Sequence, residues 1–161
     1  MPEYGPVALL YIDLAVLYDS MGNQEQVEAV LKEMDSMTEG ELAVGLARAR
    51  IRMKHSDKEG EERILRDLSQ RYPSSLVLNP LGNLEFDKKH YEQALDDYQL
   101  AGGGWYLDAT MHVAIAKALQ GMGRNKEAID QCRLAEAMAP RDLRVRFECT
   151  VVRNAVASSG S

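Results

Sequence analysis

The chain has 161 residues, 45% of them hydrophobic and 27% charged, enough for one domain with a real core. Its 19 basic and 25 acidic residues leave a net charge of −6, which argues against general nucleic-acid binding, since that needs a net basic face to release counterions. The longest apolar run, near Val7–Leu17, is broken by Asp13 and falls short of the roughly 20 apolar residues of a membrane span; Met1-Pro2-Glu3-Tyr4 also lacks the basic start of a signal peptide, so a soluble chain of unknown compartment is expected.

Taken in chain order, the pattern is of helices. Leu10, Leu14, Leu17 and Tyr18 form a stripe at helical spacing, Gly22-Asn23 breaks it, and Val27, Val30, Leu31 and Met34 form a second stripe. Pro73 closes the next pair of helices, because proline cannot continue a helix. Pro80 then predicts either a kinked helix or one that begins at Pro80 with Asn79 as its cap. Gly102-Gly103-Gly104 follows a helix and leads into Trp105-Tyr106. No strand precedes it and no Lys-Ser or Lys-Thr follows, so it reads as a helix stop and a joint, not a phosphate loop. Ile115, Ala116 and Leu119 come before Gly121 and Gly123; Ala128, Ile129, Cys132 and Ala135 come after, and Pro140 closes that hairpin. A ninth helix is expected over about 142–157. It carries two apolar lines, one through Leu143, Phe147 and Val151 and one through Val145, Cys149, Val152 and Val156. Ser158-Ser159-Gly160-Ser161 reads as a flexible end.

One period organises these elements. Ala15, Ala49, Gly82 and Ala116 are separated by 34, 33 and 34 residues. Leu31, Leu65, Tyr98 and Cys132 repeat the same gaps, as do Met34, Leu68, Ala101 and Ala135. A four-helix bundle does not explain why three columns recur in one register, and the period is shorter than the 40–47 residues of armadillo-type repeats.

A period near 34 is the tetratricopeptide length, and the residues resemble that family's pattern of W-x2-L-G-x2-Y followed by Ala, aromatic, Ala and Pro. The third unit carries Leu81-Gly82, Tyr91, Ala94, Tyr98 and Ala101; the fourth carries Gly123, Ala128, Ala135 and Pro140; the first carries Leu14-Ala15, Tyr18 and Gly22. The resemblance covers about nine-tenths of the chain. It implies an all-α, right-handed superhelical solenoid in one domain, residues 1–161, with repeats at about 8–41, 42–75, 75–108 and 109–142 plus the C-terminal helix. Ala94, Ala101, Ala128 and Ala135 should be buried where second helices meet their neighbours. Two departures stand out: Arg48 and Arg52 fall where core residues are expected, which a one-residue shift to Ala47 and Ile51 would repair, and Glu85 stands in place of an aromatic.

The side chains that could carry chemistry form no catalytic or metal constellation. His55, His90 and His112 never lie at i, i+3 or i+4 from one another, so no helix face offers two ligands, and the first two read as turn residues. No G-x-S-x-G or H-E-x-x-H occurs. The carboxylates of Asp57–Glu62 and Asp96-Asp97 read as solvated surface, and Cys132 and Cys149 as small packing residues. No enzyme activity and no cofactor or metal are expected.

What the resemblance does imply is a protein-binding groove lined by the first helices. The residue after each small-column position is Val16, Arg50, Asn83 and Lys117. One turn earlier come Ile12, Leu46, Asn79 and Val113, flanked by Asp13, Lys54 and Gln120. A polar, partly cationic groove suits a partner peptide with an acidic group or free carboxylate. The carboxylate clamp of chaperone-binding relatives is absent, since Ile12 and Val16 hold its places. Two alternatives stay open: a module that self-associates, and a region resembling those of bacterial secretion or polysaccharide-export proteins. The crowded apolar start (Val7, Leu9, Leu10) and the double-lined last helix point to a longer array or to self-association through the terminal helices.

Overall fold

The computed structural model describes residues 6–38, 40–103 and 107–159, and among them are nine α-helices and no strand. These are α1 (Pro6–Ser20), α2 (Gln24–Asp35), α3 (Gly40–Lys54), α4 (Lys58–Arg71), α5 (Ser75–Asp87), α6 (Tyr91–Ala101), α7 (Ala109–Gly121), α8 (Asn125–Met138) and α9 (Leu143–Ser159). They group into two compact units, Met1–Pro73 and Ser74–Ser161. In the first, α1 packs on α2, α3 on α4, and α3 on both α1 and α2; in the second, the pairs are α5 with α6 and α7 with α8, joined by α6–α7 packing, and α9 lies on α7 and α8. No helix among the described residues is long and apolar enough to cross a membrane.

Each hairpin turns by the same device. The second residue after the first helix has a left-handed backbone at Gly22 (φ 70°), Ser56 (φ 58°), Lys89 (φ 65°) and Gly123 (φ 74°). The next N–H then reaches back five residues: Asn23 to Tyr18 (3.0 Å), Asp57 to Arg52, His90 to Glu85 and Arg124 to Leu119 (each 2.9 Å). This closes the helix by pairing a carbonyl that would otherwise be orphaned. The same residue begins the second helix. Asn23 and Asp57 do so with a side-chain cap, accepting from the Gln26 N–H (3.2 Å) and the Gly60 N–H (2.9 Å); His90 and Arg124 make no such bond.

The columns read from the sequence are the interior. Ala15, Ala49, Gly82 and Ala116 are buried, as are Leu31, Leu65, Tyr98 and Cys132. Met34, Leu68 and Ala135 are buried too, each large side chain among them contributing roughly 1.5–3 kcal/mol. A small residue is required at 82: a Cβ there would sit 2.7 Å from the Tyr98 ring and 3.3 Å from the Ala94 carbonyl oxygen.

Several expectations need correction. The core face of α1 is Ile12, Ala15 and Asp19; Leu10 and Leu17 are exposed, because α1 is covered only where α2 and α3 meet it. In α3 the one-residue shift holds, with Ala47 buried, Ile51 half-buried and Arg48 exposed. Asn79 does not cap a helix at Pro80: α5 starts at Ser75 and Pro80 lies inside it. Burial of Val77 and Leu78 draws the chain into the helix a turn and a half earlier, and the proline's missing N–H is tolerated. Ala101 is half-buried, being the last residue of α6, where the helix stops at Gly102-Gly103; Gly104, Trp105 and Tyr106 lie outside the described residues. Glu61 is buried rather than solvated.

Candidate functional site

In the second unit a cleft of about 500 Å³ opens among α5, α6, α7 and α9. Asn79, Asn83, Phe86 and Asp87 come from α5, Tyr98 from α6, Thr110, Met111, Val113, Ala114 and Lys117 from α7, and Arg144, Val145 and Glu148 from α9. Two aspartates set the cleft-facing turns. Asp108 caps α7, accepting from the Met111 N–H (2.9 Å) and the Thr110 hydroxyl (2.6 Å). Burial works to raise its pKa, but those bonds and the nearby His112 hold the carboxyl below its usual range. Asp142 caps α9 through the N–H groups of Arg144 (2.8 Å) and Val145 (3.2 Å), which fixes Arg144 on the first turn.

The polar groups inside are arranged unevenly. The Tyr98 hydroxyl donates to Asn83 Oδ1 at 2.8 Å; burial, with the carboxylates of Asp87 and Asp97, pushes its pKa up, so it stays a donor. Lys117 Nζ meets Glu148 at 2.5 Å across α7 and α9, both partly solvated. Among the described residues the Arg144 guanidinium has no carboxylate partner. Asn79 Oδ1 is buried without a donor among the described residues. The apolar walls are Phe86, Met111, Val113, Ala114 and Val145, with Phe86 fixed edge-on to Tyr91 at 5.4 Å between ring centres. Among the described residues no serine, cysteine or histidine lines the cleft.

Of the residues expected at a groove, Asn79, Asn83 and Lys117 thus share one cleft, while Gln120, half-buried on α7, is not among its lining. On the first unit Asp13 and Arg50 are ion-paired to each other at 2.5 Å, and Val16 is half-buried beside them on α1. Lys54 Nζ lies 4.0 Å from Asp19, which also meets His55 Nε2 (2.8 Å) and accepts from Gln24 (3.2 Å). Burial tends to raise the Asp19 pKa, but Gln24, His55 and Lys54 together bring it below its usual value. Ile12 and Leu46 are buried in the core of the first unit, whereas Val113, also buried, forms part of the cleft wall. His90 is likewise tied to a buried acid, Glu85, at 2.8 Å, and His112 to Gln131 at 2.6 Å. Arg144, Glu148 and Tyr98 were not anticipated; the i, i+4 spacing of Arg144 and Glu148 on one helix face was the available signal.

The first unit has its own cleft, about 780 Å³ among α2, α3 and α4, containing none of the expected residues. Its four cations (Lys32, Arg48, Arg63, Arg71) are matched by four acids, and Arg71 is held by Glu41 and Asp67.

No family model and no curated protein matches the sequence. Solved structures do match. "MamA RS-1 ArsTM double mutant" superposes with a TM-score of 0.69 at 14% identity, over 97% of this chain and 92% of that one. The fold is a tetratricopeptide-like helical repeat. MamA 41-end from Desulfovibrio magneticus RS-1 gives 0.68 at 15% identity, over 98% and 92%. MamA AMB-1 gives 0.65 at 18%, over 91% of this chain and 81% of that one. Identities this low establish likeness of fold.

Proposed function

We propose that this chain is a protein-interaction scaffold, not an enzyme, and that the cleft of the second unit receives an extended segment of a partner protein bearing a carboxylate. The observation that carries this reading is the convergence of Asn79, Asn83, Lys117 and Arg144 on one cleft. The amides of Asn79 and Asn83 suit a peptide backbone, and Arg144 offers a guanidinium to a carboxylate. Lys117 joins by exchanging Glu148 for the incoming acid. The cleft volume lies in the range of small binding pockets, roughly 300–1,000 Å³, room for a few side chains rather than a whole domain. On the first unit Asp13, Val16, Arg50 and Lys54, and on α7 Gln120, are further candidate contacts.

The test is an amide chemical-shift titration with an acidic hexapeptide ending in a free carboxylate, and with its neutral, amidated counterpart. Shifts should concentrate at Asn79, Asn83, Lys117 and Arg144, with the acidic peptide binding at least about tenfold tighter, which is about 1.4 kcal/mol. A Lys117→Glu, Arg144→Glu variant with an unchanged helix signal should lose that preference, and Arg50→Glu tests the first unit separately. Equal affinity for both peptides, or shifts confined to the first unit, would move the site elsewhere.

A further inference from the structure

Two helices carry an apolar line on the side away from their core contacts. On α1 and its following turn, Val7, Leu10, Leu14, Leu17 and Met21 recur at three- and four-residue spacing, with Leu10 67% and Met21 68% exposed. On α9, Leu143, Phe147 and Val151 recur every four residues, with Leu143 76% and Phe147 68% exposed. At 3.6 residues per turn, each line lies opposite its own helix's buried face, Ile12 and Ala15 on α1 and Val145, Cys149 and Val152 on α9. Apart from Leu14, which is half-buried, the members of both lines leave large side chains in water.

The surroundings of the two lines differ in sign. The first hairpin, α1 and α2, holds six acids and one lysine. Asp13 lies on one edge of the α1 line, its charge offset by Arg50, so that the acid at this rim is carried by α2. On the other is Tyr11, whose hydroxyl donates to the Glu33 carboxylate at 2.7 Å. In contrast, α9 holds three arginines and one glutamate; Glu148 is paired with Lys117 and Arg153 with Glu136, and Arg144 and Arg146 set the sign at the α9 line. Arg144 lies on one edge of the α9 line and Arg146 on the other, by helical geometry.

We propose that the α1 line of one copy docks on the α9 line of a second copy of this chain. Apolar surface of this kind is removed from water most favourably by a like surface, and charge decides which. Pairing α1 with α1 sets an acidic hairpin against another; pairing α9 with α9 sets arginines against arginines. Only α1 against α9 places opposite charges at the rim, and rim charges select partners and orientation more than they add affinity. The contact uses different patches on the two copies, so each pair leaves one α1 line and one α9 line free, and association continues head to tail into a ring or a chain. Arg144 borders both this surface and the second-unit cleft; the substitutions below leave it in place, so each reading is tested by its own experiment.

The deciding experiment is sedimentation velocity on the full chain. The wild type should gain mass with concentration and lose it as salt screens the rim. A Leu10→Asp, Leu17→Asp variant and a Phe147→Asp variant should each stay monomeric alone, because each lacks one of the two faces. Mixed in equal amounts, they should form a species of twice the monomer mass and nothing larger, since the first keeps an intact α9 line and the second an intact α1 line. A wild type that stays monomeric at every concentration overturns the proposal, as does either variant associating by itself, or a mixture that fails to pair. Should an aspartate variant lose its helix signal, Leu10→Gln with Leu17→Gln, and Phe147→Gln, carry the same comparison.

Discussion

The left-handed residue that ends each first helix offers a clean measurement of what the repeat demands of its backbone. Gly22 and Gly123 have φ of 70° and 74°, and a Cβ built on either meets no atom within 4 Å. Gly22→Ala and Gly123→Ala therefore change nothing by contact; their cost is conformational alone. An L-residue in this region is strained by roughly 1–2 kcal/mol, offset by about 0.4–1 kcal/mol because alanine has less freedom to lose from the unfolded chain. The net is about 1 kcal/mol of destabilisation at each position, a fall of about 2–4 °C in Tm for a chain of this size. The reverse exchanges sharpen the test. Ser56 and Lys89 occupy the same place with φ of 58° and 65° and are exposed, so Ser56→Gly and Lys89→Gly should be neutral to stabilising, by up to about 1 kcal/mol. Urea melts followed by circular dichroism read all four. Stabilisation by Gly22→Ala and Gly123→Ala, or clear losses with Ser56→Gly and Lys89→Gly, would show that the turns do not hold this backbone.

Gly82→Ala should destabilise by about 1 kcal/mol, since overpacking costs roughly 1–3 kcal/mol against about 1 kcal/mol of helix propensity gained; the loss should vanish in a Tyr98→Leu background, where the ring 2.7 Å from the new Cβ is gone, and a cost independent of residue 98 would refute the contact. Pro80→Ala should raise stability by about 1–3 kcal/mol, read as a higher urea midpoint, because position 80 lies past the first turn of α5 and the Leu76 carbonyl regains its donor; no gain would mean the helix already departs from ideal there. Ala128→Leu should lower stability by roughly 1–3 kcal/mol, as position 128 has no exposed surface, and an unchanged Tm would put the α8 register in error. The lowered pKa of Asp19 means the unfolded state takes up its proton first as pH falls, so its contribution is present above about pH 4 and is lost as pH drops through the folded value; the stability gap between wild type and Asp19→Asn should accordingly shrink in acid, and a gap that is flat down to low pH would count against the Gln24, His55 and Lys54 contacts.

The parts of this molecule that the sequence made legible are those that repeat within one hairpin. The small column at Ala15, Ala49, Gly82 and Ala116 is read from spacing because each hairpin solves the same close approach locally, and so is the turn, where Gly22 and Gly123 announce a backbone that Ser56 and Lys89 adopt without announcing it. What spacing could not supply is how one hairpin meets the next. Arg50 and Lys117 hold equivalent places in the period, yet Arg50 pairs with Asp13 on the preceding first helix, whereas Lys117 pairs with Glu148 on the following one. A period fixes which side of a helix turns toward its neighbours, but which neighbour provides the partner depends on the polar residues that each neighbour happens to carry. The same limit explains Leu10 and Leu17, whose spacing is as helical as that of a core stripe: periodicity finds an apolar face, and only the number of helices packed around it decides whether that face is interior or a place for another molecule to bind.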